Sequence, residues 1–172
     1  MKKMSIDSII RVNHAGEYGA MRIYEGQKAV LGHSAVAPLL QHMLDQEKEH
    51  FDRFDQTMKD RHVRPTLLSP LWHVAGFALG AGSALLGKRA AMACTVAVES
   101  VIDDHYEAQL SALKDKPEEA PLRVLIENCQ QEELEHKDLG LKEEAEKMIG
   151  YKPFTAAVKA ASRFAIFLSE RI

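Results

Sequence analysis

The chain has 172 residues, with 22 Lys and Arg against 25 Asp and Glu and a formal net charge of −3. That balance argues against nonspecific nucleic-acid binding, and no basic run or aromatic-basic stripe contradicts it. The length predicts one domain, residues 1–172, able to bury a full core without staples.

Helix signals dominate, and no alternating strand run exceeds a handful of residues. The start, Met1 to Asp7, has two lysines and no apolar run, so neither a secretory signal nor an Arg/Ser-rich transit peptide is expected there. The first helix is predicted from Ser5 to Leu31, with Ile9, Val12, Ala20, Ile23 and Val30 on one side. Gly32-His33-Ser34 is a short turn. A second helix runs from Pro38 to Lys59, with Leu40, Met43, Leu44, Phe51 and Phe54 inward. Arg61 to Pro70 carries two prolines and reads as a connection. A third helix covers Leu71 to Leu86 and a fourth Lys88 to Asp115. Pro117 to Pro121 opens a fifth that reaches Ile149. Gly150 stops it, and Pro153 starts a sixth that runs to the C-terminus. Cys94 and Cys129 fall in separate helices without a CxxC, which predicts buried, inert thiols in a reducing compartment.

On these helices Glu-x-x-His occurs twice, as Glu47 with His50 and Glu133 with His136, and a lone Glu precedes each copy. Glu17 lies 30 residues before Glu47 (17 to 47), and Glu99 lies 34 before Glu133 (99 to 133). Residues three apart share a helix face, so each pair aims a carboxylate and an imidazole at one point. The flanks repeat as well. Tyr24 and Gln27 follow Glu17 at the offsets by which Tyr106 and Gln109 follow Glu99. A duplicated helical hairpin makes a pseudo-twofold bundle, and a two-metal site on its axis takes matching ligands from each half. The expected fold is all-α: a ferritin-like four-helix bundle with a long crossover helix and an extra C-terminal helix.

Other groups compete for the ligand assignment. Glu49 and Glu135 point away from the pairs. Glu132, four before His136, could face it, but Glu133 is the residue matched by Glu47. His14, three before Glu17, could be a seventh ligand; Val96 stands at its place in the second half, and a supporting role is the default. Four carboxylates and two imidazoles suit iron or manganese and lack the thiolates of closed zinc sites. Two divalent ions carry a charge that four carboxylates offset.

From Pro65 to Gly87 there is no Asp, Glu, Lys or Arg, and His73 is the only ionisable group. Three readings compete: a buried crossover helix, a helix lying in the membrane interface with Leu71, Trp72, Phe77 and Leu79 toward lipid, and a true span. A span would put the halves of the bundle on opposite sides of the bilayer. The sixth helix adds Phe154, Val158, Phe164, Phe167 and Leu168 beside Lys159, Arg163 and Arg171, a basic amphipathic pattern.

The chain resembles the 5-demethoxyubiquinone hydroxylase family of ubiquinone biosynthesis. The likeness covers nearly the whole chain. It rests on Arg11-Val12-Asn13-His14-Ala15-Gly16-Glu17, Asp45-Gln46-Glu47-Lys48-Glu49-His50, the stretch Ala78 to Lys88, Ala91 to Glu99, His105-Tyr106, Glu132-Glu133-Leu134-Glu135-His136 and Leu168-Ser169-Glu170-Arg171. The Gly-rich stretch is far more specific than the ligands. One departure is Ser100-Val101-Ile102-Asp103-Asp104, where the family pattern has a second Glu after Glu99.

The resemblance implies a di-iron monooxygenase that inserts one oxygen from O2 into a quinone ring. Its two iron ions would be held by Glu17, Glu47, His50, Glu99, Glu133 and His136. His105 and Tyr106 match a His-Tyr pair linked to electron transfer from NADH, or through the quinone. His105 also sits six residues after Glu99, roughly a third of a turn off the metal-facing line. The implied partners are a polyprenyl quinone, membrane lipid, and a second copy of the chain or a lipid-presenting protein of ubiquinone biosynthesis. Nucleic acid is not among them. The implied location is peripheral, on the cytoplasmic face of a bacterial membrane or the matrix face of the mitochondrial inner membrane. The rival reading is a ferritin-like ferroxidase, which shares the ligands but does not need an uncharged Gly-rich helix.

Overall fold

The computed structural model describes residues 5–172, so the N-terminal lysines Lys2 and Lys3 lie outside the described residues. The described residues form six α-helices and no strand: α1 (Ile6–Leu31), α2 (Ala37–Asp60), α3 (Ser69–Leu85), α4 (Lys88–Leu113), α5 (Ala120–Lys142) and α6 (Tyr151–Ser169). Ser5 caps α1, its side chain accepting from the Ser8 amide at 3.1 Å. Pro38 and Pro70 sit in the first turns of α2 and α3, where a missing N–H costs nothing.

α1 pairs with α2 and α4 with α5, as short connections require, and α3 carries the chain from the first hairpin to the second. The hairpins meet antiparallel. Along α1 and α4 the side-chain bonds run Asn13 to Gln109, Glu17 to Tyr106, Tyr24 to Glu99 and Gln27 to the Ala91 carbonyl. Two apolar layers close the bundle. One contains Ile9, Ile10, Phe54, Leu113 and Ile126; the other contains Leu40, Met43, Leu44, Ala91 and Met92.

α3 lies against α1 at backbone distance. A Cβ on Gly80 would overlap the Ile23 carbonyl, one on Gly26 the Phe77 carbonyl, and one on Gly76 would sit 2.9 Å from the Gly19 carbonyl. Only glycine allows this approach. The opposite face of α3 is open, with Leu71 51 % and Leu85 75 % exposed, so α3 is not a buried crossover. Among the described residues no helix is long and apolar enough to cross a membrane. Trp72, Phe77 and Leu79, expected toward lipid, instead face the protein in part. Trp72 Nε1 donates to Ser169 Oγ at 3.0 Å, Phe77 lies under the Arg22 guanidinium, and Leu79 lines a groove.

Three local expectations change. Val30 is exposed at the end of α1. Phe51 is half-buried, its ring packed against His14 and Tyr18. The fifth helix stops at Lys142 instead of Ile149. Glu144 then adopts φ +66°, and a 3-10 turn over Ala145–Lys147 places Ala145, fully buried, against the layer that includes Ala91 and Met92. Arg89 holds Glu144 through Nε and Nη2 at 3.2 and 2.6 Å, which gives the turn an anchor on α4.

Candidate metal centre

Between the two apolar layers, the four core helices bring six donors together. Glu17, Glu47, His50 and Glu133 form one group, and Glu47, Glu99, Glu133 and His136 form another; in each, the donor atoms lie within 4.8 Å of one another. All six residues are buried. The two groups share Glu47 and Glu133, the glutamates of the two Glu-x-x-His pairs. Glu17 with His50 belongs to one side only, and Glu99 with His136 to the other.

Both imidazoles point Nδ1 into the site. His50 Nδ1 lies 3.1 Å from Glu133 Oε1 and 3.4 Å from Glu17 Oε2. His136 Nδ1 lies 3.1 Å from Glu133 Oε2 and 3.2 Å from Glu47 Oε1. Glu133 thus sits between the rings. Burial pushes its carboxyl upward, but hydrogen bonds from both imidazoles outweigh this and hold it down at about 2. Glu47 and Glu99 go the other way, because burial first and neighbouring carboxylates second penalise their charge. His50 and His136 are raised: burial opposes their charge, and the carboxylates around them more than compensate.

Neither Glu47 oxygen accepts a hydrogen bond, and Glu99 Oε2 has no partner either. Buried carboxylate oxygens without donors are costly. Four converging carboxylates with three such orphaned oxygens fit two divalent cations, whose charge would supply what hydrogen bonds do not. The absence of a thiolate fits hard or borderline ions such as iron or manganese. Cys129, buried in the apolar layer beside Tyr106, and Cys94, buried elsewhere in α4, are both outside the donor groups.

Two tyrosines complete the site. Tyr24 donates to Glu99 Oε1 at 2.8 Å, and Tyr106 donates to Glu17 Oε1. Each phenol therefore grips the lone glutamate of the other half. Burial, and then the nearby carboxylates, raise both phenols well above their usual range, so they remain donors. The repeat already signalled Tyr24. It lies seven residues after Glu17, on the same helix face, as Tyr106 does after Glu99.

His105 stays outside both donor groups. Its Nε2 lies 2.7 Å from Gln109 Nε2, and Gln109 exchanges two hydrogen bonds with Asn13 at 2.8 and 2.7 Å. The Gln109 amide can only donate, so the network assigns the His105 proton to Nδ1. Burial lowers His105 to about 4, leaving it neutral at pH 7. His14 is also outside both groups, with Nε2 3.4 Å from Asp55 Oδ1.

Helical hairpins joined by a crossover, with a buried Glu and Glu-x-x-His set in each half, define a ferritin-like bundle. The family described as Ubiquinone biosynthesis protein COQ7 matches residues 4–169. The chain is 52 % identical over 174 residues to the mitochondrial NADPH-dependent 3-demethoxyubiquinone 3-hydroxylase of Homo sapiens, covering 100 % of this chain and 80 % of that protein. It is 51 % identical over 173 residues to the Dictyostelium discoideum protein of that same name, with the same coverage of 100 % and 80 %. It is 52 % identical over 168 residues to the 3-demethoxyubiquinol 3-hydroxylase of Rhodospirillum rubrum, covering 97 % and 78 %. The chain belongs to the ubiquinone biosynthesis protein COQ7 family.

Proposed function

We propose that the chain is a demethoxyubiquinone hydroxylase of ubiquinone biosynthesis, acting with two iron ions and O2. The observation that carries this reading is the pair of donor groups sharing Glu47 and Glu133, in a chain about half identical to proteins named for that hydroxylation. Nothing favours the ferroxidase reading. Glu47 and Glu133 would be common to both ions. Glu17 with His50, and Glu99 with His136, would each serve one. When bound, the ions supply the two-electron activation of O2. The overall balance is one ring C–H, O2, two electrons and two protons giving one ring C–OH and water. A reduced nicotinamide supplies the electrons: the resemblance implies NADH, and the two mitochondrial relatives are named NADPH-dependent.

The residues divide the remaining work. Tyr24 and Tyr106 each hold one oxygen of a lone glutamate and leave the other oxygen to a metal. The apolar layers above and below exclude water, which strengthens every charge interaction inside. His105 and Tyr106 are the pair that the resemblance links to electron delivery. Neutral His105, held by Gln109 at the α1–α4 contact, stands outside the lining of the apolar groove between α1, α3, α4 and α6.

An apolar groove of about 270 Å³ lies between α1, α3, α4 and α6, lined by Gly16, Gly19, Ile23, Leu79, Val98 and Ile102 among others. Gly16 and Val98 are the chain neighbours of Glu17 and Glu99, so the groove follows the helix stretches that carry the lone glutamates. Its lining suits a polyprenyl quinone. Two of the helices that wall it also carry exposed side chains, Leu71, Val74 and Leu85 on α3 and Phe164 and Phe167 on α6, which suit lipid. Attachment is then peripheral, on the cytoplasmic face in a bacterium or the matrix face in a mitochondrion. The test is turnover of a short-tailed demethoxyubiquinone under 18O2 by iron-loaded protein. The reading requires one labelled oxygen in the ring. Iron oxidation without product would support the ferroxidase instead.

A further inference from the structure

The two imidazoles are backed differently on their outer sides. His50 Nε2 lies 3.0 Å from Glu132 Oε2, and His136 Nε2 lies 2.9 Å from Gln46 Oε1. Gln46 and Glu132 occupy equivalent positions, each one residue before the glutamate of its Glu-x-x-His pair. Each crosses to the histidine of the other half, and they meet each other, Gln46 Nε2 donating to Glu132 Oε2 at 3.2 Å. Spacing along α5 puts Glu132 on the His136 face, four residues before it, yet its carboxylate reaches His50.

We propose that this Gln46–Glu132 bridge makes the two halves of the metal centre unequal, with Glu132 the positioning residue that strengthens His50 as a donor. The inference rests on the two-metal reading above. With both Nδ1 atoms turned inward, each Nε2 carries the proton and donates outward. A carboxylate behind an imidazole N–H fixes the ring and its tautomer and increases electron density at the opposite nitrogen. An amide carbonyl does the same without charge, and more weakly. The contact between the two also fixes the amide. A reversed Gln46 would face His136 with N–H against N–H and would place its carbonyl beside the Glu132 carboxylate. One ion therefore meets a carboxylate-backed imidazole and the other an amide-backed one, although the six ligands are symmetric. Glu132 is 32 % exposed, and Glu132→Gln removes its charge while keeping its size and shape.

Anaerobic titration of metal-free protein with Co(II), followed by visible absorption, tests this directly. Wild type is expected to bind two ions, one at least about tenfold tighter than the other. Glu132→Gln should weaken the tighter step by about 10–100-fold and leave the weaker step within about threefold, so that the two converge. Gln46→Ala should weaken only the looser step. Glu135→Gln removes the same charge from an exposed position on the same helix and should change neither step. No cobalt or one cobalt in folded wild type removes the two-metal reading, and this inference with it. Two equal sites in wild type, or equal weakening of both steps by Glu132→Gln, overturns the inference and leaves the two-metal reading standing.

Discussion

At the candidate metal centre, α1, α2, α4 and α5 bring together four buried carboxylates, two buried imidazoles and two buried phenols; outside the bundle, α3 and α6 turn leucines and phenylalanines toward solvent. The first region has charge where a helical protein normally has hydrocarbon, and the second has hydrocarbon where it normally has charge. Burying carboxylates opposes folding, and the raised Glu47 and Glu99 record that cost. The apolar layers at each end of the site offset it. The outer helices need a different account. α3 is held by glycine contacts to α1 on one face and leaves the other free, which suits a surface that meets lipid. Under the proposed function, chemistry belongs to the core and substrate access to the appended pair, and the two should be separable by substitution.

The largest expected effect is in the core. Glu99→Ala removes a donor used on one side only. Hydroxylation should fall by about a hundredfold or more, while far-UV circular dichroism and vesicle binding stay as in wild type. Near-wild-type turnover by metal-loaded variant would remove Glu99 from the centre. The converse cut is Leu71→Glu with Phe164→Glu. Co-sedimentation with phospholipid vesicles should drop about 10–100-fold while metal content is retained, because charge on a lipid-facing surface costs a few kcal/mol. Unchanged sedimentation of folded variant would leave the apolar face without a lipid role.

Gly80→Ala probes the seam between the regions. The added methyl cannot fit against the Ile23 carbonyl, so α3 must shift. Stability should fall by about 3 kcal/mol, seen as a melting temperature lower by about 6–12 °C. Gly82→Ala, with open space at its Cβ, is the matched control and should be neutral or slightly stabilising. The smallest effect is Tyr24→Phe, which leaves Glu99 Oε1 buried without its donor. Metal-free protein should lose about 1–2 kcal/mol in urea unfolding. Metal-loaded protein should lose less, since an ion can take both oxygens. An equal loss in both forms would mean that Tyr24 merely packs.

Much of this was legible in the chain itself. Apart from the end of α5, the helices appear within a few residues of their predicted limits, because proline and glycine punctuate them, and all six expected donors converge. What was not legible depends on how helices cross. Tyr24 sits roughly 10 Å along α1 from Glu17, seven residues at 1.5 Å each, too far to serve it. Only the antiparallel register of α1 on α4 places Tyr24 level with Glu99 and Tyr106 level with Glu17. The same holds for Gln46 and Glu132, whose partners lie across the pseudo-twofold axis. α3 misled for another reason. Its uncharged run gave no periodicity to distinguish faces, so Trp72, Phe77 and Leu79 read as outward when the glycines had already fixed the inward side. The end of α5 at Lys142 had no helix-stop residue to announce it; Arg89 on α4 holds Glu144, and Ala145 beyond it packs against Ala91 and Met92 of α4.

The central claim is that the six buried donors form one two-metal centre. Anaerobic loading with 57Fe(II), followed by metal analysis and Mössbauer spectroscopy of the desalted protein, tests it most directly. The account predicts about two irons per chain, in two high-spin ferrous environments, both lost in a Glu47→Ala, Glu133→Ala double variant that still folds. One iron or none in folded wild type, or two irons retained by that variant, would contradict it.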